Sequence, residues 1–193
     1  MAKVIFVKSV PTKKRVQIGV DTSDGAFTYT VSEATYKSLG SPEPECFISE
    51  SDVGTLSFDD GYCKAFEKAY GYLSVSDKSK YELKLKLMRA GFSSEISDAA
   101  LDRLDELGYI DEDRQLERAV EREANYNLRG RHYIKRKLAG KGYSISAINR
   151  AIAALVERGD VDFDVNFERL AEKKCASTYD DRRALEYKFG YKI

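Results

Sequence analysis

The chain has 193 residues, enough for one or two domains with a real core. Its 33% charged and 42% hydrophobic residues give a globular, charge-rich composition and argue against disorder. With 32 basic and 32 acidic residues the formal net charge is zero, so bulk electrostatics announces no nucleic-acid partner.

The N-terminus, MAKVIFVKSV, reads as a first strand, not a signal peptide, and no apolar run reaches the roughly 18 residues of a membrane span. Two further β-rich runs follow, Arg15–Val20 and Ala26–Val31. Turn-like Pro11-Thr12-Lys13-Lys14 and Asp21-Thr22-Ser23-Asp24-Gly25 separate the three. Two or three strands of a small antiparallel sheet are predicted. A short helix comes next around Glu33–Leu39, with Ser32 as N-cap, and Ser41-Pro42-Glu43-Pro44 interrupts regular structure.

From about Ser57 onward the chain has no proline, and apolar residues recur at helical spacing: Leu83/Leu87, Leu101/Leu104, Ile134/Leu138 and Ile148/Ile152/Leu155. Ser79-Lys80-Tyr81-Glu82 is a capping-box pattern, and Gly91, Gly108, Gly142 and Gly159 stand where helices should end. An offset of 51 residues maps Gly91-Phe92-Ser93 onto Gly142-Tyr143-Ser144. The same offset maps Leu83 onto Ile134, Leu87 onto Leu138, Leu101 onto Ile152, Leu104 onto Leu155 and Gly108 onto Gly159. It carries on through Leu116 to Phe167 and Leu138 to Phe189, after which the chain stops at Ile193.

The predicted fold is therefore mostly α. About two and a half tandem three-helix repeats form an elongated array behind a small N-terminal β-rich segment. The expected divisions are 1–56 for the β-rich segment, 57–110 and 111–161 for two full repeats, and 162–193 for an incomplete third. Phe92 and Tyr143 follow turn glycines and are expected to be structural. A tetratricopeptide scaffold fits poorly, since those repeats run near 34 residues.

Cys46, Cys63 and Cys175 match no metal or redox spacing and fit reduced thiols of a cytoplasmic protein. The one histidine, His132, has no partner pattern for catalysis. Asp59-Asp60 and Asp180-Asp181 could suggest metal ligands, although carboxylates near helix starts more often cap them. No nucleophile–base set, phosphate loop or metal motif is recognisable, so no enzyme, cofactor or metal is expected.

Charge is segregated along the chain. Residues 129–150 carry seven bases, Arg129, Arg131, Lys135, Arg136, Lys137, Lys141 and Arg150, and no acid. Residues 95–113 carry eight acids and only Arg103 as a base. The basic stretch is either a surface for phosphate or an acidic partner, or a solvated helix face neutralised by the acidic stretch. On the helix beginning near Arg131, Ile134 and Leu138 mark the buried stripe. His132, Lys135 and Arg136 then point away from it, while Lys137 and Lys141 flank it. The many tyrosines are expected mainly to pack, although aromatics among bases can also stack on nucleotides.

Three segments carry a family resemblance. Ser79–Phe92 resembles the "S-x-x-E-L-x-x-K-L-x-x-x-G" segment of the RecX family. Leu104–Arg114 resembles its "L-x-x-x-G-Y-[IL]-[DN]-D-x-[RK]" junction between repeats, and Arg129–Tyr143 its "G-x-x-x-I-x-x-x-L-x-x-K-G-[IVF]" segment. The likeness covers roughly residues 62–162. Ile134 is followed by Lys-Arg-Lys where an acidic residue before the leucine is common, and the third unit lacks its last helix. The resemblance implies a non-catalytic modulator that binds the RecA–DNA filament and limits its growth, ATP hydrolysis and strand exchange. The expected partners are the RecA filament and single- or double-stranded DNA, with no membrane, and a monomer is expected. A DNA-binding module acting without RecA is the competing reading.

Overall fold

The computed structural model describes residues 1–11 and 14–192. Thr12 and Lys13, half of the first expected turn, lie outside them, as does Ile193. Contacts divide the chain into two compact units. The first is Met1–Val75 with Lys84–Leu107; the second is Ser76–Leu83 with Gly108–Ile193.

The first unit opens with strands β1 (Ala2–Val10), β2 (Arg15–Thr22) and β3 (Gly25–Ser32), then helix α1 (Glu33–Ser38) and a two-residue strand β4 (Phe47–Ile48). The sheet is antiparallel in the order β3-β2-β1-β4, one strand more than the sequence suggests. β4 has no β-rich run to announce it; it is recruited by the free edge of β1 at Ala2 and Lys3. Alternation puts Val4, Val16, Ile18, Val20 and Val31 into one core with Leu56. A bulge between Val4 and Phe6 sets Phe6 opposite Gly19, where any Cβ would strike the Phe6 ring. Ser32 caps α1 as expected, accepting the Thr35 N–H.

Helix α2 (Glu50–Val75) covers this sheet through β3 and packs on α4 (Ser94–Glu106). Its start is fixed by Ser49 and Asp52, which accept each other's backbone N–H. The expected division at 56/57 therefore falls inside a continuous helix. Leu56, Asp60 and Cys63 form its buried stripe. At Gly61 a Cβ would come within 2.7 Å of Ile96 Cδ1, so the missing side chain admits α4.

The remaining elements are α3 (Lys80–Arg89), α5 (Glu112–Glu121), α6 (Arg131–Ala139), α7 (Ile145–Glu157), α8 (Phe163–Lys173) and α9 (Tyr179–Phe189). A π-helical turn, Arg122–Tyr126, continues α5. The second unit's core joins Leu116 and Val120 of α5 to Ile134, Leu138, Ile148, Ile152, Leu155, Val161 and Phe163. The 51-residue period is visible in its details. Ser93 caps α4 and Ser144 caps α7, while Gly108 and Gly159 leave α4 and α7 at φ +74° and +76°. Asp111 and Asp162 cap α5 and α8 in the same way. The expected capping box forms at α3: Ser79 Oγ accepts from Glu82 N at 3.2 Å, and Glu82 Oε2 from Ser79 N at 3.3 Å.

Candidate partner-binding site

α6 begins unusually. Its N-cap is Gly130, which has no side chain to satisfy the first N–H groups. The last residue of α9 and the one after it do so instead: Gly130 N donates to Phe189 O and His132 N to Gly190 O, both at 2.9 Å. Backbone meets backbone so closely that a Cβ on Gly130 would collide with Gly190 and Tyr191. Tyr191 completes the dock, its hydroxyl donating to Leu128 O at 3.3 Å and its ring lying edge-on to Phe167 at 5.0 Å.

This dock builds an arginine–aromatic cluster. The Arg129 guanidinium lies 4.3 Å from the Tyr133 ring centre and 4.6 Å from that of Phe189. Arg136 and Lys137 approach Tyr133 at 5.9 and 5.8 Å, and Arg131 stacks on Phe163 at 4.7 Å. Cations held over rings keep their charge while losing little entropy, which preorganises them for phosphate or carboxylate.

The seven bases do not stand alike. Arg131, Arg136 and Arg150 are exposed; Arg129, Lys135, Lys137 and Lys141 are half-buried. Lys135 was expected to point clear of the core and does so only in part. Lys137 Nζ is 2.8 Å from Oε1 of Glu123, whose side chain is 3% exposed, so this lysine balances a buried carboxylate. Lys141 Nζ lies 3.3 Å from Glu82. These pairs draw on Glu123 and Glu82, outside the acidic stretch 95–113. Within that stretch Asp98 pairs with Lys84 and Glu106 with Arg103. Arg150 lines a separate small cleft beside Asp113 and Glu117.

Sequence reasoning missed Phe163, Phe189 and Glu123, and read Tyr133 with the other tyrosines as a packing residue. The i, i+4 spacing of Arg129 and Tyr133 was the available signal. The pairing with Phe189 depends on a contact across 60 positions of sequence. His132 is exposed. Asp181 belongs to the α9 cap with Thr178, and Asp59 and Asp60 bind backbone. No group of His, Cys, Asp or Glu able to hold a metal occurs among the described residues.

Comparison with known proteins places these helices. The family model for the RecX first three-helix domain matches residues 65–104. The regulatory protein RecX of Clostridioides difficile (strain 630) is 32% identical over 130 residues, which is 66% of this chain and 58% of that protein. The chain is thus similar to RecX proteins through its helical part, with residues 65–104 matching the family's first three-helix domain. RecX of Prosthecochloris aestuarii is 43% identical over 49 residues, 25% of this chain and 32% of that protein. A crystal structure of regulatory protein RecX superposes with a TM-score of 0.69 at 19% identity, covering 95% of this chain and 89% of the other. RecX from Lactobacillus salivarius gives 0.55 at 21% identity over 67% and 86%. The RecX fold is thereby shared, while this chain spans 58% of the C. difficile relative's length. No helix of the described residues is long and apolar enough to cross a membrane.

Proposed function

We propose that this chain is a RecX-family, non-enzymatic regulator that binds the RecA–DNA filament and limits RecA ATP hydrolysis, filament growth and strand exchange. It acts in the cytoplasm, as a monomer, in recombination and DNA repair. The relatives are named regulatory proteins, which supports a regulator in place of a catalyst. The observation that carries the reading furthest is the Arg129–Tyr133–Phe189 stack with exposed Arg131 and Arg136 beside it. Such a cluster meets a phosphate backbone or an acidic protein face through exposed guanidinium groups.

The test is a pull-down with RecA, with and without single-stranded DNA and ATP. Capture of the assembled filament in preference to bare DNA is expected. Equal capture of bare DNA would favour the direct DNA-binding reading. Charge reversal at the exposed pair, Arg131→Glu with Arg136→Glu, should weaken filament binding and flatten its salt dependence. Reversal of Arg129 and Lys135 adds to the loss but also disturbs packing, because both are half-buried. Unchanged affinity in the exposed double variant removes the cluster from the interface.

A further inference from the structure

A cleft of about 310 Å³ opens in the second unit, where the start of α3, the face of α5 and the turn after α6 meet. Its walls carry four cations, Lys78, Arg118, Arg122 and Lys141, against two carboxylates, Asp77 and Glu82. The lining is therefore positive by two charges. The carboxylates are engaged locally, Asp77 3.5 Å from Arg118 and Glu82 3.3 Å from Lys141. Arg122 reaches no closer than 4.0 Å to Glu123 and keeps a side chain 63% exposed. The α3 N-terminus is already capped by its own Ser79 and Glu82, so side chains, not a helix end, define the site.

Gln115 distinguishes this cleft from an ordinary surface gap. It is 9% exposed, and its buried Oε1 has no hydrogen-bond partner among the described residues. A buried acceptor without a donor destabilises a fold, and native structures rarely keep one without a reason. The repeat supplies an internal control. Fifty-one residues on stands Asn166, also buried, with both ends satisfied. Its amide donates to Asn125 Oδ1 at 2.8 Å, and its carbonyl accepts from Arg169 Nη1 at 3.3 Å. Arg169 matches Arg118, three residues after the amide in each repeat. In the earlier repeat that arginine turns out to Asp77 and leaves Gln115 open. The scaffold thus closes this position in one repeat and leaves it open in the other.

We propose that the cleft is a binding site for a phosphate monoester of mononucleotide size, held by Arg122, Arg118, Gln115 and Tyr143. A phosphate monoester carries about −1.5 to −2 charges near neutral pH, which matches the excess on the walls. Guanidinium forks suit its oxygens. The terminal torsion of glutamine is broad, so its amide can offer the N–H to a phosphate oxygen or accept an N–H from the ligand. The Tyr143 phenol is protonated near neutral pH, as any tyrosine is, and enters as a donor. The volume sits at the low end for small-ligand pockets and excludes a folded partner. None of this rests on the filament reading.

Two sources share this chemistry, a free mononucleotide and the 5′-phosphate end of a DNA strand. Calorimetric titration of the full chain separates them, with adenosine 5′-monophosphate, inorganic phosphate, and one short single-stranded oligonucleotide made with and without a 5′-phosphate. One-to-one binding of the monophosphate is expected. Arg122→Ala and Gln115→Leu should each weaken it about tenfold, the effect of losing one hydrogen bond to a charged group. Lys173→Ala, the position matching Arg122 in the last repeat, should leave it unchanged. Gln115→Leu removes the orphaned acceptor, so its ligand-free melting temperature should not fall; that separates lost binding from lost folding. Binding of the oligonucleotide alone, and only with its 5′-phosphate, assigns the site to strand ends. Failure of every phosphate probe to bind, or binding indifferent to both substitutions, overturns the proposal.

Discussion

Asp60 of α2 accepts the backbone N–H of Thr30 in β3 at 2.9 Å, and its neighbour Asp59 does the same for Ser32 at 2.6 Å. β3 is an edge strand, whose outward N–H groups would otherwise be open to pairing with another chain. Two adjacent carboxylates on one helix thus fasten the helix to the sheet and close its edge. Lys64 balances Asp60 from one turn on, at 2.6 Å. Asp60→Ala should cost about 1.5–3 kcal/mol, the range for a hydrogen bond to a charged group. Urea denaturation followed by circular dichroism measures it. A loss below roughly 0.5 kcal/mol, the scatter of ordinary surface changes, would show that the edge does not need this acceptor.

The same pair shows what could and could not be read from the chain. Adjacent aspartates near the start of a helical stretch read first as a cap and second as metal ligands; the edge clasp they form was not legible, since only tertiary structure says what lies opposite. Periodicity did better, because it reports burial directly. The offset of 51 carries α4, Ser94–Glu106, onto α7, Ile145–Glu157, residue for residue. The basic stretch was legible as charge but not as structure. Nothing local to Lys137 reveals that it answers a buried Glu123, and nothing local to Arg129 reveals Phe189. β4 escaped for the opposite reason: two residues pairing with an available edge need no β propensity of their own.

The thiols should divide sharply. Cys46 and Cys175 are exposed, whereas Cys63 is buried in α2. Burial first, and then the charges of Asp59 and other neighbours, push the Cys63 thiol up to about 11. Thiolate is the reactive form, so at pH 8 that shift alone lowers its share about a hundredfold against an ordinary thiol. Alkylation with iodoacetamide, read by mass spectrometry, should label Cys46 and Cys175 well before Cys63. Equal rates at all three would mean that α2 opens readily.

Alkaline pH should weaken the second unit at two defined points. Burial pushes the phenols of Tyr143 and Tyr191 up to about 12 from 10.0, with Glu112, Glu82 and Asp77 adding to the rise at Tyr143. The folded chain therefore holds these protons where the unfolded chain releases them. Stability is intact below pH 10 and falls as pH climbs from 10 toward 12. Melting temperatures taken between pH 9 and 11.5 should show that decline, and Tyr143→Phe should make it shallower. A slope indifferent to Tyr143→Phe would place the alkaline transition elsewhere.

Lys137 and Arg136 are neighbours with opposite expectations. Removing Lys137 leaves the buried Glu123 carboxylate with only Arg122, at 4.0 Å, among the described residues, and breaking a buried pair costs about 3–5 kcal/mol; that second cation and a lysine 38% exposed put the loss nearer about 2 kcal/mol. Lys137→Met should lower stability by that amount, and adding Glu123→Gln should restore most of it. Arg136→Ala should leave stability within roughly 0.5 kcal/mol and act on partner binding alone. Denaturation of the three variants decides. If Lys137→Met is as stable as the parent, the pair is not structural, and Lys137 returns to the contact surface.

The dock between Gly190 and the start of α6 supplies the most discriminating test of how the cluster is held. Gly190 has φ +78°, and a Cβ there would run into the Tyr133 backbone, with 2.5 Å to its nitrogen. Gly159 has nearly the same φ, +76°, but open space around it. Gly159→Ala therefore measures the conformational cost alone, about 1–2 kcal/mol for a left-handed residue with a side chain. Gly190→Ala should cost at least about 2 kcal/mol more, because the end of α9, with the chain after it, must move off α6 and orphan the N–H groups of Gly130 and His132. Hydrogen exchange at those two amides should accelerate in Gly190→Ala and not in Gly159→Ala. Since Phe189 leaves with the displaced chain, Arg129 should lose one of its two rings, and the filament binding proposed above should weaken with it. Equal costs for the two alanines would show that the dock contributes nothing to α6, and the arginine–aromatic cluster would then need no support from the C-terminal segment.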